Sequence, residues 1–145
     1  MTKPTGIRSP LAGGCQCGAI RYEITGQPLE MYVCHCSECR KQSASAFGIS
    51  MWVNRADFAL LSGAARFWSR PADSGRVIDC AFCADCGTRV WHEPGGGVRG
   101  CAIAIKGGSL DEPIDVGSAI HVWVSHKLLG IVIPDDAIQY PENPV

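Results

Sequence analysis

Apolar and polar residues alternate with a period of two at several places along the chain, which predicts strands rather than helices. The alternation is plainest in Ile20-Arg21-Tyr22-Glu23-Ile24 and in His121-Val122-Trp123-Val124. Strands are predicted over 19–24, 47–53, 65–69, 76–80, 88–92, 101–105 and 119–124. Helical periodicity is weak, and the best short helical turn covers 37–42, directly after a pair of cysteines. Seventeen glycines and nine prolines cut the chain into short segments. Many short strands with glycine-rich turns point to a mainly β architecture, sandwich-like or partly open, with few helical turns. The length fits one domain, 1–145, with 1–12 and 135–145 expected to be peripheral or flexible. The tail after Pro134 is polar and carries Pro141 and Pro144, so it is expected to form an irregular strap or to fray.

Charge narrows the function classes. Thirteen basic and fourteen acidic side chains give a net charge of -1, without a run of one sign. A nucleic-acid binder would carry a basic excess on one face, so nucleic acid is not expected as a partner. The longest apolar stretches, at 101–105 and 130–134, fall far short of the ~20 residues of a membrane helix. No apolar segment of the secretory type follows the N-terminal charges, and the expectation is a cytoplasmic protein. Nine cysteines then change the picture. In a reducing compartment, closely spaced cysteines favour a metal over disulfides.

Three clusters carry the chemistry: Cys15-Gln16-Cys17-Gly18, Cys34-His35-Cys36-Ser37-Glu38-Cys39 and Cys80-Ala81-Phe82-Cys83-Ala84-Asp85-Cys86-Gly87. Zinc takes thiolates at the corners of a tetrahedron, and closely spaced pairs supply two neighbouring corners at little ordering cost. An extended Cys-x-Cys puts both thiols on one side, and a glycine after Cys-x-x-Cys lets backbone approach the metal. Counting ligands divides the set. Cys15, Cys17, Cys83 and Cys86 make a closed four-thiolate zinc site, which is the structural type. Cys34, Cys36 and Cys39 are left as a set of three with one open position, which is the catalytic type.

The segments Gly-Gly-Cys-Gln-Cys-Gly-Ala-Ile-Arg-Tyr, Cys-His-Cys-Ser-Glu-Cys-Arg-Lys and Phe-Cys-Ala-Asp-Cys-Gly-Thr, in that order, resemble the glutathione-dependent formaldehyde-activating (Gfa, CENP-V-like) enzyme family. Ile105-Lys106-Gly107-Gly108-Ser109-Leu110-Asp111-Glu112-Pro113 and His121-Val122-Trp123 are similar to its downstream strands. The resemblance runs from about Gly13 to Pro144. It implies an Mss4-like zinc-bound β fold, a structural zinc on Cys15, Cys17, Cys83 and Cys86, and a second zinc on Cys34, Cys36 and Cys39. It also implies a carbon–sulfur lyase or synthase that handles an adduct of glutathione, or another thiol, with an aldehyde, such as S-hydroxymethylglutathione. The alternative is a zinc-stabilised binding module without catalysis. The sequence leaves the oligomeric state open.

Other residues are weighed individually. Arg40 and Lys41, beside the second cluster, are candidates to receive a glutathione carboxylate. His35 lies between two ligands, so its ring is expected to turn away from the metal, at the surface or in support of the ligands. His92 is expected to be a strand residue facing solvent, and His121 and His126 are given no role. Trp52, Trp68, Trp91 and Trp123 are read as core or pocket walls. Cys101, in an apolar strand, is read as a small buried hydrophobe. Residues 95–97 form a glycine turn without the context of a phosphate loop. Cys80 departs from the family pattern. It would close the open site if it joined the three-cysteine set, and it is expected not to be a ligand.

Overall fold

The computed structural model describes residues 10–72, 75–96 and 100–144. Its strands are β1 (Leu11–Gly14), β2 (Arg21–Ile24), β3 (Glu30–Cys34), β4 (Gly48–Asn54), β5 (Phe58–Ser62) and β6 (Ala65–Pro71). They continue with β7 (Val77–Cys83), β8 (Arg89–Pro94), β9 (Ala102–Lys106) and β10 (Ile120–Val122). The single α-helix among the described residues, α1, spans Ser37–Ser43. The mainly β expectation holds. No helix among the described residues is long and apolar enough to cross a membrane.

The strands form two sheets. One is antiparallel in the order β1-β2-β5, and the other runs β10-β3-β4-β9-β8-β7-β6. Within the large sheet only the β10–β3 pairing is parallel. Register aligns Met31 with Met51, Met51 with Ile105, and Ile105 with Trp91. These residues are buried with Tyr22, Ile20 and Ile24 of the small sheet's side in one apolar cluster. Phe58 of β5 bridges the two sheets, its ring 5.5 Å from Tyr22 and 5.0 Å from Trp91. Side chains alternate across a strand, so the neighbouring positions Ser50, Lys106, His92 and Cys80 emerge on the sheet's other face. There α1 lies over them: Glu38 faces Arg70 of β6 at 3.9 Å, and Cys39 packs against Gly48.

Several expectations need correction. Strands β1, β3 and β5 were not foreseen, and β7 continues through Cys83 instead of ending at Cys80. Leu11 is buried in β1, so the periphery at the N-terminus does not reach residue 12, while residues 1–9 lie outside the described residues. The tail pairs along β10: the His121 N–H donates to the Ile138 carbonyl, and the Tyr140 N–H to the His121 carbonyl. Gly95 and Gly96 follow β8 as a turn, and Gly97 lies outside the described residues. Cys101 is exposed because β9 begins only at Ala102. Trp68 is half-exposed on the edge strand β6, so it is not a core residue.

Met51 sits at the centre of this core, with no exposed surface, on a strand paired at both edges. Met51→Ala should lower stability by about 2–5 kcal/mol in urea unfolding with zinc present. A loss below 1 kcal/mol would mean the two sheets do not share one packed core.

Candidate metal centres

The first centre is assembled from two turns that present sulfur in the same way. In the β1–β2 connection, the Gly18 N–H donates to the Cys15 carbonyl and the Ile20 N–H donates to Cys15 Sγ at 3.2 Å. In the β7–β8 connection, the Gly87 N–H donates to the Cys83 carbonyl and the Cys83 N–H to the Thr88 carbonyl. Gly18 and Gly87 both have φ near +80° (83° and 81°), a conformation that side chains rarely adopt and that lets each turn close under its sulfurs. The turns meet at Cys17 Sγ, 3.6 Å from Cys15 Sγ and 3.7 Å from Cys83 Sγ. The four sulfurs of Cys15, Cys17, Cys83 and Cys86 all lie within 4.8 Å of one another.

These separations discriminate between two chemistries. A disulfide needs about 2.05 Å between sulfurs. A tetrahedron with zinc–sulfur arms of about 2.3 Å has edges of about 3.8 Å. The observed spacings fit the tetrahedron, so the donor set suits zinc. The Thr88 hydroxyl lies 3.3 Å from Cys86 Sγ, and together with backbone N–H groups it pulls that thiol down to about 5. A deprotonated thiol is the form that binds metal.

The second centre is local. Cys34 ends β3, Cys36 caps the start of α1, and Cys39 lies in the helix's first turn. Their sulfurs are within 4.8 Å of one another, with Cys34 Sγ 3.4 Å from Cys36 Sγ. Cys36 takes the extended backbone of an N-cap (φ -68°, ψ 161°), and its sulfur accepts the Cys39 N–H. The Cys34 and Cys39 thiols, then the N–H groups of Cys39 and Glu38, hold Cys36 down to about 2, while Cys34 is pushed up. No fourth Cys, His, Asp or Glu among the described residues joins this group. Cys80 belongs to neither group: it is wholly buried on β7, its sulfur 3.9 Å from the Ile78 carbonyl.

Between the two centres opens a cleft of about 480 Å³. Cys86 and Thr88 form one side, Gln42 and Ser43 of α1 the other, and Lys106 and Arg89 are its charged residues. Lys106 is only 7% exposed, and its Nζ donates to Ser50 Oγ at 2.9 Å. Burial pushes the Lys106 ammonium down from its ordinary value, and the neighbouring sulfurs of Cys39 and Cys34 pull it back up. His92 is buried beside it, not facing solvent. Burial, then the charges of Lys106, Arg89 and Arg70, holds it neutral, down at about 2, while Arg89 Nη1 lies 3.2 Å from its Nε2.

The remaining residues separate. His35 turns away from the cysteines as expected, but it is buried, its Nε2 3.0 Å from His121 Nδ1. Arg40 Nη1 donates to the His126 carbonyl at 2.8 Å, and neither Arg40 nor Lys41 lines the cleft. Sequence reasoning missed Lys106 and Arg89. The available signal was a lysine closing the apolar run Ala-Ile-Ala-Ile, and an arginine three residues after Cys86.

A family model described as glutathione-dependent formaldehyde-activating enzyme matches residues 10–126. A Rhodobacter sphaeroides protein of known crystal structure is similar over 77% of this chain and 99% of its own, at 21% identity and a TM-score of 0.57. At that identity the likeness extends to the fold alone.

The two centres should respond differently to loss of a ligand. A structural zinc contributes about 10–16 kcal/mol in small peptides, against a net domain stability of about 5–15 kcal/mol. Cys83→Ser should therefore give unfolded or insoluble protein, while Cys36→Ser should lose about one zinc per chain and keep a folded circular-dichroism spectrum. A Cys83→Ser protein that melts with the parent would remove the structural assignment, and global unfolding of Cys36→Ser would make both centres structural.

Proposed function

The chain belongs to the glutathione-dependent formaldehyde-activating enzyme family, and on that premise we propose that it is a zinc-dependent carbon–sulfur lyase or synthase acting on the adduct of a thiol, such as glutathione, with an aldehyde. The observation that carries this is the three-thiol group of Cys34, Cys36 and Cys39, which has no fourth protein donor among the described residues and has a cleft one helical turn away. Zinc held by these three thiolates would supply a Lewis acid able to favour an incoming thiolate or to polarise an aldehyde oxygen. The four-thiol group of Cys15, Cys17, Cys83 and Cys86 would hold a structural zinc.

The chain's own groups define the rest. In the addition, the thiol S–H bond breaks and a sulfur–carbon bond forms at the carbonyl carbon. The C=O π pair moves to oxygen, which ends with the proton, and the reverse step releases aldehyde and thiol. The Cys34 and Cys39 thiols, then the N–H groups of Cys39 and Glu38, hold the Cys36 thiol low, the direction that suits a metal ligand. Lys106 places a buried positive charge beside Cys34 and Cys39, where it favours negative charge developing on substrate sulfur or oxygen. Phe47 and Ile49 give the cleft an apolar wall. A reducing cytoplasm would suit nine cysteines that are all free of disulfides.

Formaldehyde and glutathione also combine in water without a catalyst, so the reaction must be read as acceleration. Exchange NMR at fixed thiol concentration should show faster adduct formation and breakdown with the zinc-loaded protein, and Cys36→Ser should return the rate to the buffer value. Equal rates with parent protein and with buffer would refute the proposal.

A further inference from the structure

Beyond β10 the chain turns apolar side chains out to water. Leu129 is 99% exposed and Val132 89%, with Leu128 exposed beside them. The turn that carries them is closed on itself: the Ile131 N–H donates to the Leu128 carbonyl, and Lys127 Nζ donates to the Ile131 carbonyl at 3.0 Å. Gly130, at φ 92°, takes the left-handed conformation that the reversal needs. The base of the turn is held on both sides. Arg40 of α1 donates to the His126 carbonyl, and Ile133, just past the tip, is buried. Three apolar side chains gathered on one fixed projection mark a contact surface, unlike single exposed residues scattered over a molecule.

A receptor for such a projection adjoins it. On the face of the large sheet turned away from the Met31 and Met51 core, Tyr32, Trp52, Ala102 and Val122 line an apolar groove of about 660 Å³. The tail forms its rim: Asn143 and Pro144 line it, and Trp123 Nε1 donates to Asn143 Oδ1 at 2.9 Å. The Trp123 ring also meets His126 edge-on, so turn and groove share one support. The groove's charged residue is Glu30, and no basic side chain is among the described residues that line it. Glu30 accepts from the Tyr32 hydroxyl, but no lysine or arginine pairs with it among the described residues. Lys127, at the base of the turn, likewise has no carboxylate partner among the described residues.

Turn and groove match in polarity and in charge, yet one copy does not join them, since Leu129 is almost free of contact in its own chain. We infer that the 128–132 turn of one copy docks in the groove of a second copy, with Lys127 of one facing Glu30 of the other. Exchange in both directions makes a two-fold dimer, which closes on itself and leaves neither turn nor groove open. Burial of Leu129 and Val132 drives the association, and the charge pair sets its register. The inference is independent of the chemistry at the cysteine centres.

Sedimentation velocity between about 1 and 100 μM should show the zinc-loaded protein passing from monomer to dimer. Leu129→Lys should weaken that association at least about tenfold, and Ala102→Trp, which fills the groove, should do the same. Glu30→Lys and Lys127→Glu should each weaken it, and the two reversals combined in one chain should restore it toward the parent. Restoration reports the turn meeting the groove, which a merely structural effect of either change would not give. If Ala102→Trp does not fold, the paired reversals carry the test of the groove. A parent that is still monomeric at the highest concentration, or a dimer that Leu129→Lys leaves unchanged, would overturn the inference. A monomer that floats with phosphatidylcholine vesicles by way of Leu129 would give the turn to a lipid surface and overturn it too. A dimer lost in Leu129→Lys but indifferent to both groove tests would remove the groove as the receptor.

Discussion

The two sheets meet at four sulfurs, and the arrangement of both candidate sites follows from that junction. Cys15 and Cys17 sit in a turn of the small sheet, Cys83 and Cys86 in a turn of the large one, and Cys17 and Cys83 are 66 residues apart in sequence. The small sheet has three strands of four or five residues, too little to be stable alone in water. Its apolar face gains an ordered partner only by lying on the large sheet, through Phe58 and Trp91. A metal shared by both turns would fix that approach at one end and close a long loop of chain, which is where a crosslink removes most entropy from the unfolded state. It would also set the position of Thr88 and Arg89, which follow Cys86 and Gly87, and so one side of the cleft.

The same ligand chemistry carries a different consequence at the second centre because of where its sulfurs sit. Cys34, Cys36 and Cys39 belong to one strand-to-helix corner, so a metal there closes only a short loop. The corner is instead held by the backbone. The Cys39 N–H bonds the Cys36 sulfur, and Gly48 gives Cys39 room, since a Cβ at that position would lie 3.2 Å from the Cys39 Cβ. Folding therefore shapes this group in advance of any ion. Preorganisation of this kind is what a reactive site needs and what a structural crosslink does not.

How much of this was legible depended on whether the signal was local. Strands such as β2 and β4 announce themselves by alternation, and the two cysteine groups by spacing. β1 reads Leu-Ala-Gly-Gly, which carries no strand propensity and is ordered only by pairing with β2. β5 contains Leu60 and Leu61, both exposed, so its pattern never resolves into two faces. His92 was misjudged for a related reason. Position-two alternation assigns polar residues to solvent, yet the second face of the large sheet lies under α1, and His92 and Lys106 are buried there. The cleft itself joins β4, β8, β9 and α1, and no local pattern reports such a meeting.

Formal charge links the cleft to the proposed metal. Three thiolates around a divalent ion would leave one negative charge (2 - 3 = -1), and Lys106 is the buried cation beside Cys34 and Cys39. With a divalent ion bound, that group would be neutral, which would ease the burial of an ammonium only 7% exposed. Arg89 is then in excess, half-buried over Trp68 and next to a histidine that burial keeps uncharged. A guanidinium offers a planar fork matched to a carboxylate, whereas a stacked ring and a neutral imidazole use only its face and one donor.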